Sequence, residues 1–126
     1  MSMNAMELVA EAKSQITEIE PAAAATAMKS ALLLDVREAA EFEAGRLPGA
    51  INIPRGLLEF RIGDHPLLSR RDTDILVYCK TSGRAALSAC AMQDMGYAQV
   101  KSILGGFDAW AAAGKPVAKP SLPSFG

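Results

Sequence analysis

Cysteine and histidine are scarce in this chain, and their scarcity removes whole classes of protein. Two cysteines, Cys79 and Cys90, are too few for the paired disulfide framework of a small secreted domain. With a single histidine, His65, they also make no metal-ligand cluster, so neither a metal nor another cofactor is expected. Charge of one sign is missing as well. The 13 basic and 14 acidic residues leave a net charge of −1, which gives no global attraction for nucleic acid or an anionic membrane. Apolar runs fall far short of a membrane span. The first fifteen residues carry Glu7, Glu11 and Lys13 and have no basic start leading into an apolar core, so they do not read as a signal peptide. A reducing, cytoplasmic setting is the expectation.

What is present is apolar material and regular alternation. The length of 126 residues suits one compact domain, and half of the residues are hydrophobic, enough for a substantial core. Ala5, Leu8, Val9 and Ala12 recur at helical spacing, predicting a helix over Met3–Ser14. Ile16–Ile19 reads as a short strand, and Pro21 opens an alanine-rich helix to Lys29. Ala31–Leu34 is a continuous apolar run of the kind buried on both faces of a parallel sheet, and Asp74–Tyr78 is the strand before the cysteine, apolar over Ile75–Tyr78. Ala50–Ile53 and Val100–Ile103 complete the strands. Helices are expected over Glu38–Ala44, Ser82–Met95 and Phe107–Ala113, and a mixed stretch over Arg55–Ser69. Strands alternating with helices predict an α/β fold, a mostly parallel sheet of about five strands covered on both faces. Its site should lie beyond the carboxyl ends of the strands, where Asp35, Cys79 and Gly105-Gly106 all fall. The expected organisation is a helical extension over 1–15, the domain over 16–118 and a flexible tail over 119–126.

The most informative stretch is Tyr78-Cys79-Lys80-Thr81-Ser82-Gly83-Arg84-Ala85. A strand runs into a cysteine, a short loop follows, and a helix begins at once. That order places a sulfur over the unpaired N–H groups of a helix N-terminus, with Lys80 and Arg84 adding positive charge. Both devices favour a thiolate over a thiol. Gly83 permits a loop conformation that other residues resist, and Thr81 and Ser82 can donate hydroxyl hydrogen bonds or cap the helix.

Here the chain resembles the rhodanese-like family of sulfurtransferases, over roughly Ile16 to Pro116. The resemblance rests on four separated motifs in order: Asp35-Val36-Arg37-Glu38 with Glu41-Phe42, then Gly45–Pro54, then the loop of Cys79 to Arg84, then Leu104–Trp110. It implies ping-pong transfer of a sulfane sulfur. Cys79 takes the outer sulfur of a small anionic donor such as thiosulfate, becomes a persulfide, and passes the sulfur to cyanide or a cellular thiol. The loop residues Lys80, Thr81, Ser82, Gly83 and Arg84 would bind substrate, with Arg55 facing the pocket, while Asp35 and Arg37 brace the loops. The same chemistry suits a persulfide carrier that exchanges sulfur with a partner protein. A third reading, an arsenate reductase or phosphatase, is disfavoured because those loops carry one more residue between cysteine and arginine, a wider ring suited to a tetrahedral oxyanion. Arg84 closes this loop and is also read as a helix-start residue pointing away from the sulfur.

Neighbouring residues have plainer readings. Cys90 lies about eight residues into its helix, roughly 12 Å along the axis, too far for a disulfide and suited to the core. Arg37 and Glu41 are spaced for a helix-surface ion pair. Arg46 stands where the family often has histidine. Arg61 and His65 read as surface residues, and Trp110 with Phe107 as the core anchor of the last helix.

Overall fold

The computed structural model describes residues 2–119. Nine residues, Ala5–Lys13, form α1, capped by Asn4, whose side chain accepts the Glu7 N–H at 2.8 Å. The strands are β1 (Thr17–Ile19), β2 (Leu32–Asp35), β3 (Ile51–Asn52), β4 (Ile75–Tyr78) and β5 (Val100–Ile103). They build one sheet in the order β1-β5-β4-β2-β3, and every pairing is parallel. The remaining helices are α2 (Pro21–Ala27), α3 (Ala39–Ala44), α4 (Leu58–Arg61), α5 (Gly83–Asp94) and α6 (Gly106–Ala112). The mixed stretch after β3 resolves into two 3₁₀ turns, Arg55–Leu57 and Ile62–Asp64, on either side of α4.

Alternation along the central strands divides the core in two. Leu34, Ile75, Val77 and Cys79 face one side and pack with Ala85, Ala89 and Met92 of α5 and Leu58 of α4. Leu33, Leu76, Tyr78 and Ile103 face the other and pack with Ala24 of α2 and Trp110 of α6. Because both sides of β2 and β4 are covered, their sequences read as unbroken apolar runs. The N-terminal helix packs on α5 rather than standing apart. Among the described residues, no helix is long and apolar enough to cross a membrane. The expected flexible tail, residues 119–126, lies outside the described residues except for Lys119.

The register sets Asp35 level with Tyr78 on β4 and with Asn52 on β3. All three therefore end together at the carboxyl edge of the sheet, where the Cys79 loop also begins.

Candidate functional site

Cys79 follows the last residue of β4 and is 1% exposed. Its Sγ accepts the backbone N–H of Ala85, in the first turn of α5, at 3.3 Å. Ser82 is the N-cap residue of α5, although its side chain makes no capping bond. Among the described residues, the N–H groups of Lys80, Thr81, Ser82, Gly83 and Arg84 have no hydrogen-bond partner.

The other side of the loop explains why. The carbonyl of Cys79 accepts from Phe107 N at 2.8 Å, and that of Lys80 accepts from Asp108 N at 3.0 Å. The first turn of α6 thus holds two loop carbonyls. In a planar trans peptide the N–H points opposite to the C=O, so the N–H groups of Lys80 and Thr81 are turned away from α6. This contact requires glycine at position 106. Gly106 has φ +58°, and a Cβ there would overlap the carbonyl oxygens of Cys79 and Thr81. Gly83 lies against α1, where a Cβ would meet Val9 Cγ2 at 3.5 Å.

Two ion pairs fix the charged residues of the loop. Arg84 reaches Glu41 of α3 through Nη1 at 2.7 Å and Nη2 at 3.1 Å. Those hydrogen bonds lower the Glu41 carboxyl from 4.5 to about 2, against a smaller opposing effect of burial. They likewise raise Arg84 above its ordinary value, with a further electrostatic contribution from Cys79. Lys80 Nζ meets Asp108 Oδ2 at 2.7 Å in an exposed pair.

Behind the loop, Asp35 is fully buried and accepts from the Arg37 backbone N–H at 2.8 Å and from Nη2 at 2.8 Å. Burial works against the Arg37 charge, but the Asp35 hydrogen bonds and charge outweigh it and raise its pKa. Arg37 also donates to the Gly45 carbonyl at 2.6 Å and stacks over Phe107 at 4.5 Å. The Asn52 side chain donates to the carbonyls of Asp35 and Arg37, each at 3.0 Å. Tyr78 keeps its proton because burial, with Asp35 nearby, pushes its phenol up; its oxygen accepts the Leu47 N–H at 3.1 Å. Strand ends, the α3 turn and the segment before β3 are thereby tied together.

Several expected placements change. Arg37 and Glu41 do not pair: Arg37 turns inward to Asp35 and Glu41 crosses to Arg84. Arg55 starts a 3₁₀ turn, pairs with Glu59 at 2.6 Å, and lines a groove of about 250 Å³ between α1 and α5, away from the Cys79 loop. Cys90 is half-buried in that same groove, not in the core, with its Sγ 3.6 Å from Gln15 Oε1. Trp110 is a core anchor, 1% exposed, with Nε1 donating to the Pro116 carbonyl at 2.7 Å. Phe107 is only half-buried and lines a cleft of about 560 Å³ together with Arg37, Glu41 and Lys80. Sequence reasoning missed Asn52, Asp108 and the demand for Gly106; only the Gly105-Gly106 turn gave a signal, and it did not reveal what packs against it.

A family model for the rhodanese-like domain matches residues 19–113. A sulfurtransferase from Allochromatium vinosum is 33% identical over 89 residues, 71% of this chain and 79% of that protein. A thiosulfate sulfurtransferase from Actinobacillus succinogenes is 33% identical over 107 residues, covering 80% of this chain and 89% of its own. Among solved structures, a Rhodopseudomonas palustris protein of unknown function, described as a possible tyrosine phosphatase, superimposes with a TM-score of 0.86 at 33% identity. That match covers 94% of this chain and 96% of the other.

Proposed function

The chain belongs to the rhodanese-like domain family, with sulfurtransferases among its relatives, and on that premise we propose that it moves a sulfane sulfur through a persulfide on Cys79. The thiolate attacks the outer sulfur of thiosulfate; the S–S bond of the donor breaks, sulfite leaves with the electron pair, and Cys79 carries a terminal S⁻. Cyanide then attacks that terminal sulfur and departs as thiocyanate, or a thiolate attacks it and departs as a persulfide, and Cys79 returns as thiolate.

The observation that carries this reading is the run of N–H groups from Lys80 to Arg84, unpartnered among the described residues, that follows Cys79 and leads to the Ala85 N–H held by its sulfur. Preorganised N–H donors stabilise charge without reorganising, and a persulfide places its charge one sulfur beyond the cysteine. Lys80 is the loop cation best placed to meet an anionic donor, since its partner Asp108 is an exposed residue and such pairs are worth little. Arg84 is bound to Glu41 and shapes the loop. A protein partner that donates or accepts sulfur would use the same persulfide, and a cytoplasmic, reducing setting would keep Cys79 a thiol.

The phosphatase description of the Rhodopseudomonas protein raises the competing chemistry. Two features count against it here: the loop is one residue short for an oxyanion ring, and its closing arginine is committed to Glu41 rather than free to clamp a phosphoryl group. Mass spectrometry after incubation with thiosulfate decides between them. The wild type should gain one sulfur atom and Cys79→Ser should gain none. No adduct with thiosulfate or with any persulfide donor sinks the proposal, and turnover of a phosphate ester, where none is expected, replaces it.

A further inference from the structure

The cleft of about 560 Å³ lies on the side of the sheet that sulfur transfer does not use. Phe107 and Val117 of its lining pack against the cluster that contains Leu76, Tyr78 and Trp110. Cys79 belongs to the other cluster, with Ala85 and Ala89 of α5. A sulfur donor at Cys79 therefore has no call on this cleft, and its occupant follows from its own walls.

One wall comes from residues beyond the family-matched 19–113. Ala118 exchanges two backbone hydrogen bonds with Arg46, at 2.7 and 2.9 Å, and the Pro116 carbonyl accepts from Trp110 Nε1. These bonds hold the segment 115–119 in place and set Val117 against Gly45, where a Cβ would meet Val117 Cγ1 at 3.5 Å. Phe107 and Ala111 of α6 and Ala44 of α3 extend the apolar lining. The volume falls within the roughly 300–1,000 Å³ of small-molecule sites, which are likewise mostly apolar with a few polar groups.

Those polar groups fix the sign of the occupant. Of the five charged side chains in the lining, four are matched. Arg37 pairs with Asp35, Glu41 with Arg84, and Lys80 with Asp108. Lys119 has no ion-pair partner among the described residues, and residues 120–126 include no Asp or Glu. One positive charge is left over. Arg37, only 4% exposed, adds a donor: its Nε and Nη2 serve Asp35 and Gly45, while Nη1 has no acceptor in hydrogen-bond geometry among the described residues.

We propose that this cleft is a binding site, separate from Cys79, for a small organic monoanion: a carboxylate carried on a flat apolar body. The body lies among Val117, Phe107 and Ala111, and the carboxylate meets Lys119 and Arg37 Nη1. No bond of the ligand changes, and the site does not depend on the transfer reading above.

The test titrates naphthoate into the 126-residue chain at physiological ionic strength and follows the backbone amide signals by NMR. Ordinary ligand efficiency predicts a Kd of about 1 mM for a molecule of this size. Saturable shifts are expected at Phe107, Ala111, Val117 and Lys119. Val117→Trp, which fills the cleft, should raise Kd about tenfold and Lys119→Gln about threefold, whereas Cys79→Ser should leave it within about twofold. Naphthylmethylammonium, a similar ring with the opposite charge, should bind at least about tenfold more weakly than naphthoate. Lys119 is exposed, so Lys119→Gln remains informative if Val117→Trp fails to fold. Absence of saturable shifts at about 10 mM, a Kd that Lys119→Gln does not move, equal binding of the ammonium, or loss of binding in Cys79→Ser overturns the proposal. A wild type that binds naphthoate in this way and forms no persulfide with any donor supports the site while sinking the transfer reading alone.

Discussion

The two cysteines of this chain lie in one domain and in opposite surroundings. Cys79 is almost wholly buried, yet its sulfur receives an N–H from Ala85 and is followed by a run of N–H groups unpartnered among the described residues. Cys90 is the more open of the two, yet its sulfur faces the amide oxygen of Gln15 across the α1–α5 groove. An N–H aimed at sulfur complements negative charge, and a carbonyl oxygen aimed at sulfur opposes it. Exposure, the usual guide to a reactive thiol, therefore favours Cys90, whereas the hydrogen-bond donors favour Cys79, the residue of the proposed persulfide. What separates the two is the helix end: Cys79 precedes α5 and meets its unsatisfied donors, whereas Cys90 sits inside α5, where the backbone donors are already spent on the helix.

The most severe way to break the contrast is to exchange the fates of the two sulfurs. Cys79→Ser should lower thiosulfate–cyanide transfer by roughly 10³-fold or more, the scale on which loss of a nucleophile is felt. Steady-state thiocyanate formation measures it, and retention of more than a few per cent of wild-type activity sinks the assignment of Cys79.

Next in size is the support beneath the loop. Gly106→Ala puts a methyl group into the Cys79 and Thr81 carbonyls at a positive φ and should cost about 2–3 kcal/mol, with a matching fall in transfer. Gly49 has φ +81° and open space around it, so Gly49→Ala should cost only about 1 kcal/mol and leave transfer alone. Denaturant midpoints for the two variants decide whether the α6 contact, and not mere backbone strain, sets the difference.

Smaller again is the Glu41–Arg84 bridge. The folded carboxyl stands at about 2, below its usual 4.5, so the bridge contributes fully above pH 4.5 and its contribution is lost as pH falls towards 2. Both side chains remain about a third exposed, which screens the pair to about 1 kcal/mol. Glu41→Gln should thus be less stable than wild type by about 1 kcal/mol at pH 7 and equal to it near pH 2. A gap that does not close on acidification means that the pair is not what Glu41 contributes.

Which parts of this contrast could be read beforehand follows from range. The runs Leu32–Leu34 and Ile75–Tyr78 announce buried strands because both of their faces are covered, and the parallel sheet of five strands follows from them. The loop was legible because cysteine, glycine and arginine stand in one short stretch after a strand. The partners of its charges were not. Glu41 lies four residues from Arg37, the spacing of a local pair, but a fully buried Asp35 offers Arg37 several hydrogen bonds and leaves Glu41 for Arg84, far along the chain. Arg55 comes just after the expected strand Ala50–Ile53 and Pro54 and reads as a pocket residue, yet the 3₁₀ turn that begins there directs it to Glu59. Cys90 adjoins buried Ala89 in sequence but sits beside the stripe of Ala85, Ala89 and Met92 that packs on the sheet, and it lines the α1–α5 groove with Gln15 and Arg55 instead.

That last placement carries the smallest expected effect and the sharpest control. Because Cys90 lines the α1–α5 groove and not the core, removing its sulfur deletes one weak contact to Gln15 and opens no core cavity. Cys90→Ala should then change stability by no more than about 0.5 kcal/mol, as for substitutions away from the core, and leave sulfur transfer within about twofold of wild type. Circular dichroism with denaturant measures the first and thiocyanate formation the second. A fall in transfer with stability unchanged would tie the α1–α5 groove to the chemistry, because α1 also touches Gly83 through Val9. The two sulfurs would then belong to one site, and the opposition between them would have to be redrawn as a division of labour.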